Sequence, residues 1–300
     1  MNKLIVILGP TGVGKTNISL RLAEKFACPI VSSDSRQIFQ ELKIGTAAPS
    51  QEEMKRVAHY FVGTHSIFDN YSAGQYEEEA MALLNNLFQK NEVVLLVGGS
   101  MMYIDAVCNG MDDIPQVKPE IREFWQKEFA EKGLEFIQNE LKRLDEKHYT
   151  EVDLQNPKRL LHALEICTQT GRTFSEFRTG EKKQRNFEII KIGLNRPREE
   201  LYNRINERVD SMMEQGLLQE AQPFYPHKHL NTLNTVGYKE LYRYLDGEWT
   251  LEFAVNMIKQ DSRHYAKRQL TWFNRDKDIH WFHPSQEEEI IQFIDQKTQF

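Results

Sequence analysis

An apolar run, Leu4-Ile5-Val6-Ile7-Leu8, leads straight into GPTGVGKT at residues 9–16, and no other stretch constrains the fold as much. Five aliphatic residues in succession read as a strand buried on both faces. The octapeptide fits G-x-x-x-x-G-K-[ST], with a strand before it and a helical pattern after it, the setting in which that spacing holds phosphate. Gly9, Gly12 and Gly14 allow a tight turn whose backbone N–H groups aim at an anion, with Pro10, Thr11 and Val13 completing the arc. The helix opening near Lys15 adds its positive end to the same point. Lys15 supplies a mobile charge, and the Thr16 hydroxyl can ligate a Mg²⁺ shared with the phosphates. The bland alternative is a glycine-rich turn that binds nothing. The loop predicts a bound phosphate or diphosphate and leaves the reaction open.

Further along, residues 15–26 carry a helical pattern (Ile18, Leu20, Leu22, Ala23, Phe26), and residues 29–34 form a short buried strand ending at Asp34. Ligands of open α/β sheets sit at the carboxyl ends of the strands, so Asp34 is expected beside the phosphate loop. Residues 59–67 read as a third strand and 72–90 as a helix. Glu92 to Val97 is a continuous apolar run typical of a central parallel strand, ending in Gly98-Gly99-Ser100 before a helix. An ordinary ATPase more often places an Asp there to hold Mg²⁺. Here two glycines permit close approach, and a hydroxyl stands at a helix start.

From about 115 to 183 only helical periodicity is present, which predicts an all-helical insertion domain within a core of residues 1–114 and 184–300. Pro119 suits a first helical turn, and Gly133 and Gly171 suit helix ends. Residues 187–194 return to the sheet. A long helix over 197–215 places Arg204 and Arg208 on one face, and a short one follows over 236–245. The helix over 251–272 interleaves bases and aromatics in its second half, RHYAKRQLTWF, and 278–282 and 286–294 read as a last strand and helix.

The chain of 300 residues, 40% hydrophobic and 27% charged, is ordinary for a globular protein. A net charge of −6 excludes a global nucleic-acid signature, so any basic binding face must be local. Cys28, Cys108 and Cys167 make no metal spacing and suit buried thiols in a reducing compartment. The opening apolar run is too short for a signal peptide, and nothing reaches bilayer-spanning length; a cytoplasmic protein with no membrane association is expected.

Several residues could carry chemistry. Asp34 suits a base acting on a co-substrate or an outer Mg²⁺ contact, its alternative being a helix cap. Ser100 could bind an anion or cap the helix after it. Arg204 and Arg208, taken alone, fit a solvated helix face. The 263–272 segment resembles single-stranded nucleic-acid surfaces, although its aromatics could equally be core.

Taken in order, GPTGVGKT, SSDSRQIF, IGTAAP, LLVGGSMMY, LYNRINERVDSM, VGYKEL and AKRQLTWF resemble the tRNA dimethylallyltransferases, and the resemblance covers nearly the whole chain. It implies an α/β fold, a P-loop NTPase-like parallel sheet flanked by helices with the insertion contacting tRNA. It also implies transfer of a dimethylallyl group from dimethylallyl diphosphate to the exocyclic amine of the adenosine 3′ of the anticodon. Carried over residue by residue, Gly9 through Thr16 form the diphosphate cradle with Mg²⁺ at Thr16. Asp34 becomes the general base, and Lys15, Ser100 and Arg208 join it as catalytic groups, with Arg204 the fallback for Arg208. Ser100 stands where the family usually has Thr. Asp34, Ser35, Arg36, Gln37, Ser100, Arg122, Lys158, Arg159, Leu160, Leu161, His162, Lys267, Arg268, Gln269 and Trp272 match tRNA-contacting positions, as do residues 234–239. Asn274 follows TWF where many members have Arg, with Arg275 next in line. The resemblance implies tRNA and dimethylallyl diphosphate as partners, and a monomer is expected. Other readings are a small-molecule P-loop kinase, a nucleotide-switched RNA-binding protein, and an enzyme prenylating free adenine nucleotides.

Overall fold

The computed structural model describes residues 1–298. By chain contacts it divides into two compact units, Gly110–Lys183 and the remainder.

The larger unit begins with β1 (Lys3–Leu8), α1 (Lys15–Lys25), β2 (Ile30–Ser32), α2 (Gln51–Arg56), β3 (His59–Tyr60), α3 (Ala73–Leu87), β4 (Val93–Gly98) and α4 (Met101–Asn109). The smaller unit holds α5 (Pro119–Leu144), α6 (Glu146–Glu151), α7 (Pro157–Thr170) and α8 (Phe174–Phe177). The chain then returns through β5 (Glu188–Leu194), α9 (Arg198–Glu214), α10 (Leu217–Ala221), a 3₁₀ turn, α11 (Tyr238–Leu245), α12 (Leu251–Phe273), β6 (Ile279–Phe282) and α13 (Glu287–Thr298).

The six strands form one parallel sheet in the order β3-β2-β4-β1-β5-β6. The apolar runs explain the central places of β1 and β4, because a strand covered on both faces has no polar side to present. Alternation along β1 then splits the core in two. Leu4, Val6 and Leu8 face a cluster with Val94, Leu96, Tyr76 and Leu84 of α3 and Ile104 of α4. Ile5 and Ile7 face the other, with Leu95, Ile192, Leu22 of α1, Ile205 of α9 and Ile290 and Ile294 of α13.

The strand expected over 59–67 is only His59–Tyr60. Phe61 and Gly63 adopt φ of 59° and 61°, left-handed values that end the pleat. The rest of the stretch folds back, where the Gln40 N–H donates to the His65 carbonyl at 2.9 Å.

The smaller unit packs Trp125, Ile137, Leu141, Leu160, Leu164 and Phe174 into its own core. Gly133 (φ 77°) breaks α5 and Gly171 (φ 67°) caps α7, both in the left-handed region that glycine enters freely. All three cysteines are buried and free. Among the described residues no helix is long and apolar enough to cross a membrane.

Candidate active site

The loop between β1 and α1 closes tightly on its surroundings. Gly9, Gly12 and Gly14 have φ of 147°, 78° and 108°, and a Cβ on Gly9 would stand 2.5 Å from the Leu194 carbonyl oxygen. Among the described residues no side chain caps α1, so the N–H groups of its first turn are left for another acceptor. Arg204 Nε donates to the Gly12 carbonyl at 3.1 Å and Arg196 Nε to the Val13 carbonyl at 2.8 Å, so two of the loop's carbonyls are satisfied by guanidinium groups.

A cleft of about 640 Å³ opens over this loop, lined also by the β2 end, the 45–47 loop, α9, residues 234–237 and α12. Among the described residues its charged lining is Lys15, Arg36, Arg204, Arg208, Lys239 and Arg268, against the one carboxylate of Asp34. The cleft is thus a local basic face on a chain of net negative charge.

The cations differ in how they are held. Lys15 Nζ donates to the carbonyls of Gly9 and Pro10, both at 2.9 Å. Burial, with Arg208 adding to it, brings its ammonium down to about 8, Asp34 opposing. Arg36 Nη1 donates to the Thr232 carbonyl at 3.2 Å. Lys239 pairs with Asp261 at 2.8 Å. The Arg208 guanidinium makes no hydrogen bond or ion pair with any described residue. Burial, and then Arg204, pull its pKa below the ordinary value, while Asp34 pulls the other way. A half-buried cation without a partner marks a place built for an anion.

Asp34 divides its carboxylate. Oδ1 accepts from the N–H groups of Arg36 at 2.9 Å and Gln37 at 3.3 Å, closing the turn after β2. Oδ2 accepts no hydrogen bond among the described residues. One oxygen thus serves the capping alternative and the other remains for chemistry.

Ser100 is buried, and its hydroxyl accepts from the Ser35 N–H at 2.8 Å and donates to Ser35 Oγ at 3.0 Å, so it ties β4 to the Asp34 turn. Gln37 reaches across to the carbonyls of Thr46 and Ala47 at 3.3 and 3.1 Å. Burial pushes the Tyr265 phenol up to about 12, with the Asp34 charge adding to the rise. Lys267 and Arg268 are exposed on α12, with the Arg268 guanidinium 5.7 Å from the Tyr265 ring centre. Trp272 Nε1 donates to Asp105 at 2.9 Å.

Two expectations for RNA contact are corrected. Gln269 is 1% exposed and turns both ends of its amide into the fold, accepting from the Thr11 N–H at 2.8 Å and donating to the Gly99 carbonyl at 2.7 Å. It braces the phosphate loop against the end of β4. Leu160 is fully buried in the helical core of the smaller unit and has no side-chain surface for a ligand. In that same unit Lys158 and Arg159 are exposed and Leu161 is partly buried. Arg122 and His162 lie 3.8 and 3.7 Å from Glu165.

A Mg²⁺ ion fits the larger unit only with help from a ligand. Thr16 lines the cleft with a hydroxyl that bonds no described residue, and no group of three His, Cys, Asp or Glu side chains suited to a metal occurs among the described residues. That donor set suits an ion carried in with phosphate oxygens.

Comparison with known proteins supplies the family. The IPP transferase family matches residues 37–276. The tRNA dimethylallyltransferase 1 of Bacteroides fragilis is 60% identical over 97% of both chains. The tRNA dimethylallyltransferase 2 of Parabacteroides distasonis is 57% identical over 99% of both. Among solved structures, the tRNA isopentenylpyrophosphate transferase of Bacillus halodurans superposes with a TM-score of 0.73 at 33% identity, covering 100% of this chain and 97% of its own. A eukaryotic dimethylallyltransferase acting on tRNA gives 0.81 at 26% identity, covering 94% of this chain and 74% of its own. A phosphate loop on a parallel sheet, a cationic cleft around one carboxylate and this full-length likeness place the chain in the IPP transferase family, that of the tRNA dimethylallyltransferases.

Proposed function

We propose that the protein transfers the dimethylallyl group of dimethylallyl diphosphate to the exocyclic amine of the adenosine 3′-adjacent to the anticodon in tRNA, releasing pyrophosphate. The observation that carries this reading is the unpartnered Arg208 guanidinium, which shares one cleft with the phosphate loop and the open Oδ2 of Asp34.

The allylic carbon–oxygen bond breaks with its electron pair going to the diphosphate. The rate therefore depends on groups already placed to meet that growing negative charge: the N–H groups at the start of α1, Lys15 and Arg208. The Thr16 hydroxyl would hold a Mg²⁺ brought in with the diphosphate, and that ion would supply further neutralising charge for the leaving group. The adenine amine is a weak nucleophile because its lone pair is delocalised into the ring. Asp34 Oδ2 accepts one amine proton as nitrogen bonds to the allylic carbon, a contribution of about 10²–10⁴ in rate. The target base must leave its stack to enter the cleft, which favours an unpaired anticodon loop. Lys267 and Arg268, exposed on α12, suit the RNA backbone, as do Lys158 and Arg159 of the smaller unit. Our reading includes cytoplasmic action as a monomer. A kinase is disfavoured by the Gly98-Gly99-Ser100 ending of β4, which offers no carboxylate to a nucleotide's metal.

The test is incubation with dimethylallyl diphosphate, Mg²⁺ and unmodified tRNA, followed by nucleoside mass spectrometry. Prenylated adenosine with no ATP requirement is expected, and Asp34→Ala should slow its formation by about 10²–10⁴-fold while leaving pyrophosphate binding largely intact. ATP consumption without RNA prenylation would overturn the reading, and near-wild-type turnover by the variant would overturn the role of Asp34.

A further inference from the structure

Gly45, Thr46 and Ala47 line the same cleft as the phosphate loop and Asp34. This segment has no regular secondary structure to hold it, and Ala47 is in the left-handed region at φ 46°, a conformation that non-glycine residues adopt only when their surroundings impose it. Within the loop, the Ala47 and Ala48 N–H groups donate to the Ile44 and Lys43 carbonyls at 2.9 and 3.0 Å, and one side chain from outside holds the residues those carbonyls belong to. The Glu220 carboxylate, from α10, accepts three consecutive backbone N–H groups, those of Lys43 and Ile44 on Oε2 at 2.9 and 2.8 Å and that of Gly45 on Oε1 at 3.0 Å. Oε1 also accepts the Tyr238 hydroxyl at 2.6 Å. The Tyr238 ring lies so close to Gly45 that a Cβ there would stand 2.6 Å from it. Burial and the neighbouring Glu220 charge hold the Tyr238 phenol far above its ordinary range, so it remains a donor at any working pH.

What Glu220 holds reaches the reacting groups through one further side chain. The carbonyls of Thr46 and Ala47 accept the Gln37 amide, and the Gln37 N–H closes the turn on Asp34 Oδ1. We infer that Glu220 is a positioning residue. Through the 43–47 loop and Gln37 it fixes the wall against which the acceptor base is aligned with Asp34, and it touches no substrate itself. The inference rests on the proposed prenyl transfer.

Glu220→Gln keeps the side-chain shape but turns an acceptor-only group into one that presents its own N–H₂ to the loop's donors. Tyr238→Phe removes a single donor and leaves the three loop bonds in place. For Glu220→Gln we expect kcat for prenyl transfer to an anticodon stem-loop to fall by about 10–100-fold, the scale of a misplacement near 1 Å. KM for dimethylallyl diphosphate should stay close to wild type. Hydrogen exchange at the amides of Lys43, Ile44 and Gly45 should accelerate while the phosphate-loop amides keep their protection. Tyr238→Phe should show the same pattern more weakly, and it supplies the readout if Glu220→Gln does not fold. A merely structural role would lower the melting temperature without changing kcat below the transition. Wild-type kcat in a folded Glu220→Gln with accelerated loop exchange, or in Tyr238→Phe if that is the folded variant, would overturn the inference. Absence of transfer by the wild-type enzyme would instead overturn the proposed function.

Discussion

Replacing Gln269 with leucine separates a structural brace from an RNA contact. Leucine nearly matches glutamine in volume, so the change removes two hydrogen bonds without opening a large cavity. The Gly99 carbonyl, bonded at 2.7 Å inside the fold, is left without its partner, which costs about 1–3 kcal/mol. The Thr11 N–H is only partly buried and recovers some hydration, so its lost bond costs about 0.5–1.5 kcal/mol. Together the variant should be destabilised by about 1.5–4.5 kcal/mol, a fall of about 3–18 °C in melting temperature for a unit of this size. Because Thr11 belongs to the phosphate loop, affinity for pyrophosphate, measured by calorimetry with Mg²⁺ present, should also drop about tenfold, the equivalent of one orienting bond. RNA affinity without diphosphate should stay within about twofold of wild type, as for a change that touches no RNA. Unchanged stability and pyrophosphate affinity together with weakened RNA binding would refute the reasoning and return Gln269 to the RNA surface.

Other outcomes follow from the same geometry. With Lys15 held near 8, the free enzyme loses that charge as pH rises beyond this point, so diphosphate affinity should be level below pH 8 and fall up to about tenfold per unit above it, with no such break in Lys15→Met. Because this folded value lies below the unfolded one, wild type should also gain stability relative to Lys15→Met between pH 8 and 10.5 in thermal melts. Arg268→Ala should weaken tRNA binding across sequences and lower the slope of log affinity against log salt by about 1, with stability within about 0.5 kcal/mol of wild type. Arg185 pairs with Glu77 at 2.9 Å with both side chains 9% exposed, and it also donates to the carbonyls of Ala106 and Val107 at the end of α4. Arg185→Ala should therefore cost about 3–5 kcal/mol in urea unfolding, and adding Glu77→Leu should recover part of it.

How much was legible in the sequence depended on whether the signal was local. The junction of Leu4–Leu8 with GPTGVGKT carried both the central strand and the anion cradle, because strand, turn and helix start are consecutive in the chain. The Arg204 and Arg208 pair was visible only as a helix face. Whether that face meets water or a cleft is decided by β1 and β2, far away in sequence. Glu220 left no trace at all, since a lone glutamate on a short helix has no pattern and its three donors lie some 175 residues earlier. Gln269 misled for a related reason. Its neighbours Lys267 and Arg268 do face outward, and helical periodicity alone did not reveal that the third residue turns in. The 59–67 stretch failed as a strand because composition does not encode the left-handed backbone at Phe61.

The pairing order of the sheet bears on how this molecule is made. β1 is synthesised before the other described strands, yet it needs β4, about ninety residues later, on one edge and β5, beyond the helical insertion, on the other. The phosphate loop that follows it waits longer still, until Gln269 arrives to clamp Thr11. The insertion, with a core of its own, can collapse while its host is unfinished, so the earliest-synthesised part of the active site is among the last to be completed.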